Sequence, residues 1–326
     1  MSPLSLPPVP EPFQLPFHYG ALHHLGIDWL VAPEPVRELL ATHHPDLSAA
    51  EFDGRALVSF NYQLYFAQYA FGGGVTQEIE YNVIAFPTAE SDRIPQLTYA
   101  QYAQGWDQTK LLGIARIHVL CDNPFAISAG RALYAEPKYP GWFEVDLPSL
   151  NGPAGETWTV HGKAAGTSPD GVLERSETPL FSLTAALDDT AAALANNTPI
   201  TGYGTCPDGR VLAGPMNVYQ PYRWYDLSAP EHADRVHLTV HAVDHDLGRD
   251  LRSLVTDTPA AGAWTYQSPP SRLTTAPTTC RPGVPPIVDE SPDHAAGHGS
   301  TGRRQGPGAA LRAPGAGRAD ATVRCK

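Results

Sequence analysis

The sequence predicts an α+β fold: a mainly antiparallel β-sheet or barrel with a few helices, followed by a disordered C-terminal tail. Three observations carry this. Stretches rich in β-branched and aromatic residues recur through residues 1–268. Helical patterns are few, and no regular strand–helix alternation of the kind that builds a parallel sheet is present. Beyond about residue 268 the chain turns to Pro, Gly, Ala and Arg without one Phe, Trp or Tyr, too little apolar area to offset its ordering entropy.

Taken in order, residues 1–16 form a proline-rich arm, extended and free to clasp a neighbour. "PEPVRELLATHH" reads as a short helix, with Pro35 suited to its first turn and Val36, Leu39 and Leu40 on one face. "RALVSFNYQLYFAQY" reads as a strand, ended by "GGG" at 72–74, and "TQEIEYNVIAFP" as its antiparallel partner. "LTYAQYAQGWDQTKLLG" breaks the β pattern and reads as helical, weakened at Gly105. In "IARIHVLCD", alternation puts Ala115, Ile117 and Val119 on one face and Arg116 and His118 on the other. "SAGRALYA" and "WFEVDL" read as strands able to pair with it. "WTVHGKA" is a further strand, "SLTAALDDTAAALANN" an alanine-rich helix, and "DRVHLTVHAV" a strand. The expected organisation is one domain over 1–268 and a disordered tail over 269–326.

Composition narrows the function classes. A formal charge of -12 opposes binding to nucleic acid or an anionic membrane surface. No apolar run approaches the ~20 residues of a membrane span, and the N-terminus lacks the basic start and apolar core of a signal peptide. Cys121, Cys206, Cys280 and Cys325 are scattered, a spacing of neither a zinc site nor a disulfide framework, so a reduced cytoplasmic protein is expected. His237 and His241 lie roughly 13 Å apart on an extended strand, too far to share one metal ion. No cofactor and no metal are called for.

Lys138 stands out, set among Leu133, Tyr134, Tyr139 and Trp142 in a chain where 17% of residues are charged. Pro137 fixes a backbone dihedral beside the amine, and Pro140-Gly141 turns the chain just after it. The run "CDNPFAISAGRALYAEPKYPG" resembles the signature segment of acetoacetate decarboxylases, matching at Asp122-Asn123, Ala126-Ile127, Gly130-Arg131 and Pro137-Lys138 without a gap. "EIEYNVIAFP" resembles the family strand that carries a glutamate, and "VRELLATHHPDL" an early helix; the likeness spans residues 15 to 265.

The resemblance implies that Lys138 is a Schiff-base nucleophile acting on a keto acid. A free lysine, with a pKa near ~10.4, is only ~0.04% neutral at about pH 7. Acetoacetate decarboxylase is itself the standard instance of a lysine activated by desolvation or a neighbouring cation. In this chain Tyr139 replaces the family's second lysine, and Glu136 opposes activation if it points inward. The implied roles are Glu80, with Glu78 as the alternative, as general acid/base; Arg131 or Arg116 on a substrate carboxylate; His118 beside Arg116; and Tyr139 on the reacting oxygen. A homo-oligomer with a small-molecule keto acid as partner is implied too. Three readings stay open: decarboxylase of a β-keto acid, aldolase or dehydratase of a keto acid, and a non-catalytic binding module.

Overall fold

The computed structural model describes residues 9–15, 17–69, 72–149, 155–197, 200–216 and 220–268. The tail expected over 269–326 lies outside the described residues. Long alternating strands dominate, as expected. The chain opens with β1 (His18–Val31), then α1 (Pro33–His43), the short β2 (Leu47–Ala49) and β3 (Glu51–Phe52), and the long hairpin partners β4 (Arg55–Tyr69) and β5 (Gly72–Pro87). The short α2 (Tyr99–Ala103) leads to β6 (Gly113–Cys121), α3 (Pro124–Tyr134) and β7 (Lys138–Asp146). Strands β8 (Thr157–Thr167), β9 (Leu173–Ala186), β10 (Ala192–Asn197), β11 (Ile200–Thr205), β12 (Val211–Met216) and β13 (Gln220–Asp226) follow. The described chain closes with β14 (Val236–Val240), α4 (Asp246–Leu254) and β15 (Gly262–Gln267).

These strands form one mixed sheet in the order β10-β13-β15-β1-β4-β5-β6-β7-β8-β9-β14. Its pairings are antiparallel except where β6 meets β7 and β11. One face of the central strands carries the core. Leu25, Ile27, Val58, Phe60, Tyr62, Ile79 and Tyr81 pack there with Phe143, Trp158 and Phe181 from β7, β8 and β9. Phe60 and Phe181 meet edge-on at 5.0 Å between ring centroids, an arrangement aromatic quadrupoles favour.

Three sequence expectations are corrected. Residues 128–135 are not a strand but the end of α3. Asn123 caps that helix, its side chain accepting from the Phe125 and Ala126 amides, and Pro124 opens it. Ala126, Ile127, Ala129, Gly130 and Leu133 give it a buried helical face. Residues 182–197 are strand, turn and strand instead of a helix. Leu183 and Ala185 alternate into the core, and Asp188 stops the ladder by accepting from the Glu156 amide. The helix expected over 97–113 is confined to Tyr99–Ala103 by a Thr98–Gln101 capping box and by Gly105 at φ 81°. In the proline-rich arm, Phe13 is buried on this chain's own α3, against Phe125 and Leu133.

Cys206 is disulfide-bonded, a departure from the expectation of unbridged cysteines. No helix among the described residues is long and apolar enough to cross a membrane.

Candidate functional site

The second face of the central strands is buried but polar, and chain pairing explains which side chains reach it. Residues paired across a ladder point to the same face. Lys138 pairs with Val119, Val119 with Glu80, Glu80 with Asn61, Asn61 with Gly26, and Gly26 with Trp264. Glu78 and Asn82 flank Glu80 on the same side of β5.

A β-bulge decides where the basic residues go. Tyr81 pairs with His118 and Asn82 with Arg116, so Ile117 is the extra residue of β6. Arg116 therefore lies on the face of Glu80 and Lys138. His118 goes to the other face, where Tyr81 stacks on it at 6.3 Å and Asp250 of α4 bonds its Nε2 at 2.7 Å. The shared face expected of Arg116 and His118 from strict alternation is thus corrected. Tyr139, one residue after Lys138, also faces away from it, with its ring edge-on to His118 at 6.0 Å and a buried hydroxyl without a hydrogen-bond partner.

Lys138 opens β7 at the point where that strand first pairs with β6 and then, from Gly141, with β8. It is 6% exposed. Its Nζ lies 2.7 Å from Glu78 Oε2 and 3.3 Å from Glu136 Oε2. The Tyr65 hydroxyl donates to Glu78 Oε2 at 3.1 Å, and exposed Tyr19 lies edge-on to Tyr65 at 4.9 Å. Next to this pair, Arg116 Nε donates to Glu80 Oε1 at 2.8 Å and lies 3.5 Å from Glu136 Oε1. Asn82 Nδ2 donates to Glu80 Oε2 at 3.1 Å.

The structure thus puts Glu78, not Glu80, against the amine; Glu80 pairs with Arg116. Arg116 is engaged by two carboxylates. Arg131 lies outside the cluster, its Nε donating to the Lys138 carbonyl oxygen, which ties α3 to the start of β7. Glu136, expected from its place two residues before Lys138 to oppose activation if it pointed inward, does point inward, between Lys138 and Arg116.

Charge and burial oppose each other at each group. Burial alone would lower the Lys138 amine, but Glu136 and Glu78 outweigh it and hold it well above the usual lysine value. Burial raises the Glu78 carboxyl above the carboxylate range, with Lys138 opposing and Glu80 and Glu136 assisting. For Glu136 burial also pulls upward, but Lys138 and Arg116 prevail and keep it low. Glu136 is therefore a fixed anion, and Glu78 is the carboxylate readiest to accept a proton. Burial pushes the Cys121 thiol far up, so it is no competing nucleophile. No group of three or more His, Cys, Asp or Glu among the described residues is placed to hold a metal.

Gly130 of α3 makes the close approach possible. A methyl group there would come 2.3 Å from Glu136 Oε2 and 2.9 Å from Lys138 Cδ. In Gly130→Ala the gain of about 1 kcal/mol in helix propensity is set against this overlap, and the Glu136 and Lys138 side chains should be displaced, a shift that a crystal structure of the variant measures.

Among solved structures, the chain is similar to the enduracididine biosynthesis enzyme MppR complexed with pyruvate, at 12% identity and TM-score 0.50, over 78% of this chain and 87% of that one. It matches MppR complexed with the condensation product of pyruvate and imidazole 4-carboxaldehyde equally well, at 12% identity and TM-score 0.50, over 82% and 94%. This is an acetoacetate decarboxylase-like fold. A solved acetoacetate decarboxylase aligns at 14% identity and TM-score 0.44, over 77% and 85%. No protein-family model and no curated protein matches the chain.

Proposed function

We propose that the chain is a Schiff-base lyase that forms an imine between Lys138 and a keto acid and decarboxylates a β-keto acid through it. The observation that carries this reading is the 2.7 Å contact between the buried amine of Lys138 and Glu78. Surrounding carboxylates favour the ammonium form, so the amine does not reach neutrality by desolvation. It reaches it by passing a proton to Glu78. Free Nζ then attacks the carbonyl carbon, and a proton shifts from nitrogen to oxygen to give the carbinolamine. Glu78 returns its proton to the hydroxyl, which leaves as water. The net change converts an ammonium and a ketone into an iminium and water, with charge conserved. The iminium then accepts the electron pair released when carbon dioxide departs, and the enamine takes a proton from water before hydrolysis.

A second reading, aldol condensation or dehydration of a keto acid through the same imine, is favoured by the MppR complexes with pyruvate and with a pyruvate condensation product. The test is borohydride reduction with acetoacetate, pyruvate and longer keto acids, followed by peptide mass mapping. The expected result is a substrate-dependent adduct at Lys138 that Lys138→Ala lacks. Carbon dioxide release assigns decarboxylation, and a new carbon–carbon bond assigns condensation. No adduct with any ketone from about pH 6 to 9 sinks both.

A further inference from the structure

We infer that Tyr19 receives the carboxylate of the keto acid at the open end of the Lys138 face, its hydroxyl donating to the ligand. The inference rests on the imine reading, which it deepens by naming the residue that meets the substrate's acid group.

The first observation is that the cluster leaves no cation for that group. Arg116 is engaged by Glu80 and Glu136, Lys138 by Glu78 and Glu136, and Arg131 Nε by the Lys138 carbonyl. A keto acid that set its carboxylate inside the cluster would compete with three carboxylates already there. At the rim the acid group keeps its distance from them and water screens it. It then needs a donor of another kind.

The second observation is a β-bulge that turns Tyr19 toward the site. In β1, Leu22 pairs with Tyr65 and His24 with Gln63, and these pair with Thr76 and Glu78, so the even-numbered residues of β1 share the Lys138 face. Unbroken alternation would send Tyr19 to the other side. The register shifts between Tyr19 and Ala21, leaving Gly20 as the extra residue, so that Tyr19 pairs with Ala67 and Ala67 with Gly74. Gly74, Thr76 and Glu78 alternate along β5 on the site face. The edge-on contact of Tyr19 with Tyr65 at 4.9 Å agrees with this placement, since Tyr65 itself donates to Glu78.

The third observation is room at this end of the face. A Cβ on Gly74 would meet nothing within 4 Å, whereas toward the far end Trp264 closes over Gly26, where a Cβ would come 1.9 Å from the indole. Tyr19 is 60% exposed, and its hydroxyl makes no hydrogen bond among the described residues. Protein nonetheless crowds it: desolvation, then the Glu78 charge, raise its pKa above the usual phenol value, with Lys138 opposing. A side chain both open to water and crowded by protein stands at the mouth of a recess, and a phenol that resists ionisation stays a donor through the neutral range. Its hydroxyl feels Glu78 and Lys138 but bonds neither, and the gap beside Gly74 is where the ligand's acid group fits. A hydrogen bond to that carboxylate is charge-assisted.

The test compares acetoacetate with butanone, which carries a methyl group in place of the carboxylate. Borohydride trapping at Lys138, counted with or without loss of carbon dioxide, is run at low ligand concentration on the wild type and on Tyr19→Phe, which keeps the ring on Tyr65 and lacks the hydroxyl. Trapping of acetoacetate should slow by about tenfold or more, the loss of one hydrogen bond to a charged group, and that of butanone by less than about twofold. Because the acid-to-ketone ratio is read on one sample, partial unfolding cancels. A ratio equal in both proteins overturns the inference, whether the two rates hold or fall together; so does a wild type that traps butanone and not acetoacetate. Gly74→Phe, which fills the open end, should slow both compounds, and unchanged rates there would put the mouth elsewhere and overturn the inference. If the wild type traps neither, the imine reading fails by itself, and calorimetry with acetoacetate decides. Binding that weakens about tenfold in Tyr19→Phe upholds the inference; no binding, or binding insensitive to the hydroxyl, overturns it.

Discussion

Lys138→Met should destabilise the protein by about 3–5 kcal/mol at pH 8 and by much less at pH 5. The methionine fills a similar volume, so packing changes little; the loss is electrostatic. Glu78 would keep the Tyr65 hydroxyl donor and lose the cation 2.7 Å away, while Glu136 would still have Arg116 at 3.5 Å. The Glu78 carboxyl, already raised by burial, would rise further. A carboxyl whose folded pKa exceeds its unfolded value makes the protein most stable below the unfolded value, and that stability fades as pH climbs toward the folded one. The variant therefore weakens from about pH 4.5 upward. The wild-type amine behaves differently: its pKa is held above the usual lysine value, so its contribution is complete below about 10.5 and is lost only at higher pH. Denaturant melts of both proteins from pH 5 to 8 measure the widening gap. Lys138→Met/Glu78→Gln should close most of it. A gap independent of pH would mean that the ion pair is not what Lys138 supplies to stability.

Much of this arrangement was legible in the sequence, and the misreadings have physical causes. Lys138 was found because several positions around it must agree at once. The long hairpin of β4 and β5 was found because "RALVSFNYQLYFAQY" is rich in β-branched and aromatic residues and is followed by a glycine-rich turn signal and a second such stretch. Residues 182–197 misled because alanine favours a helix yet brings no side chain that would resist a strand, so tertiary pairing decided. The end of α3 was read as a strand although Asn123-Pro124 is a helix-start signal, one outweighed by the short "RALYA" pattern. Arg116 and His118 were assigned to one face because alternation holds only in an unbroken ladder. The bulge at Ile117 has no local sequence marker; it appears when β5 and β6 are paired. The choice of Glu80 over Glu78 is a matter of depth along one strand face, which periodicity cannot resolve.

Glu78→Gln should slow imine formation at Lys138 by about 10²–10⁴-fold at neutral pH, the range ascribed to a positioned proton acceptor. The sign of this effect discriminates between two roles. Both Glu78 and Glu136 raise the Lys138 pKa, so removing either charge makes the amine easier to deprotonate. Were Glu78 only an electrostatic restraint, its loss would populate the neutral amine and accelerate trapping. As the proton acceptor its loss must retard trapping, because glutamine cannot take the proton and solvent reaches the buried pair poorly. Glu136, kept ionised by Lys138 and Arg116, is poorly suited to accept a proton. Glu136→Gln should therefore leave trapping unchanged or faster, with the pH midpoint of its rate shifted downward. Glu78→Gln should instead show a rate that climbs with hydroxide concentration into the alkaline range. Trapping rates of the two variants against pH, with one keto acid at a fixed concentration, separate the cases. Faster trapping in Glu78→Gln than in the wild type would make Glu78 a restraint and leave the proton acceptor to be sought at Glu80, the next carboxylate along the same strand face.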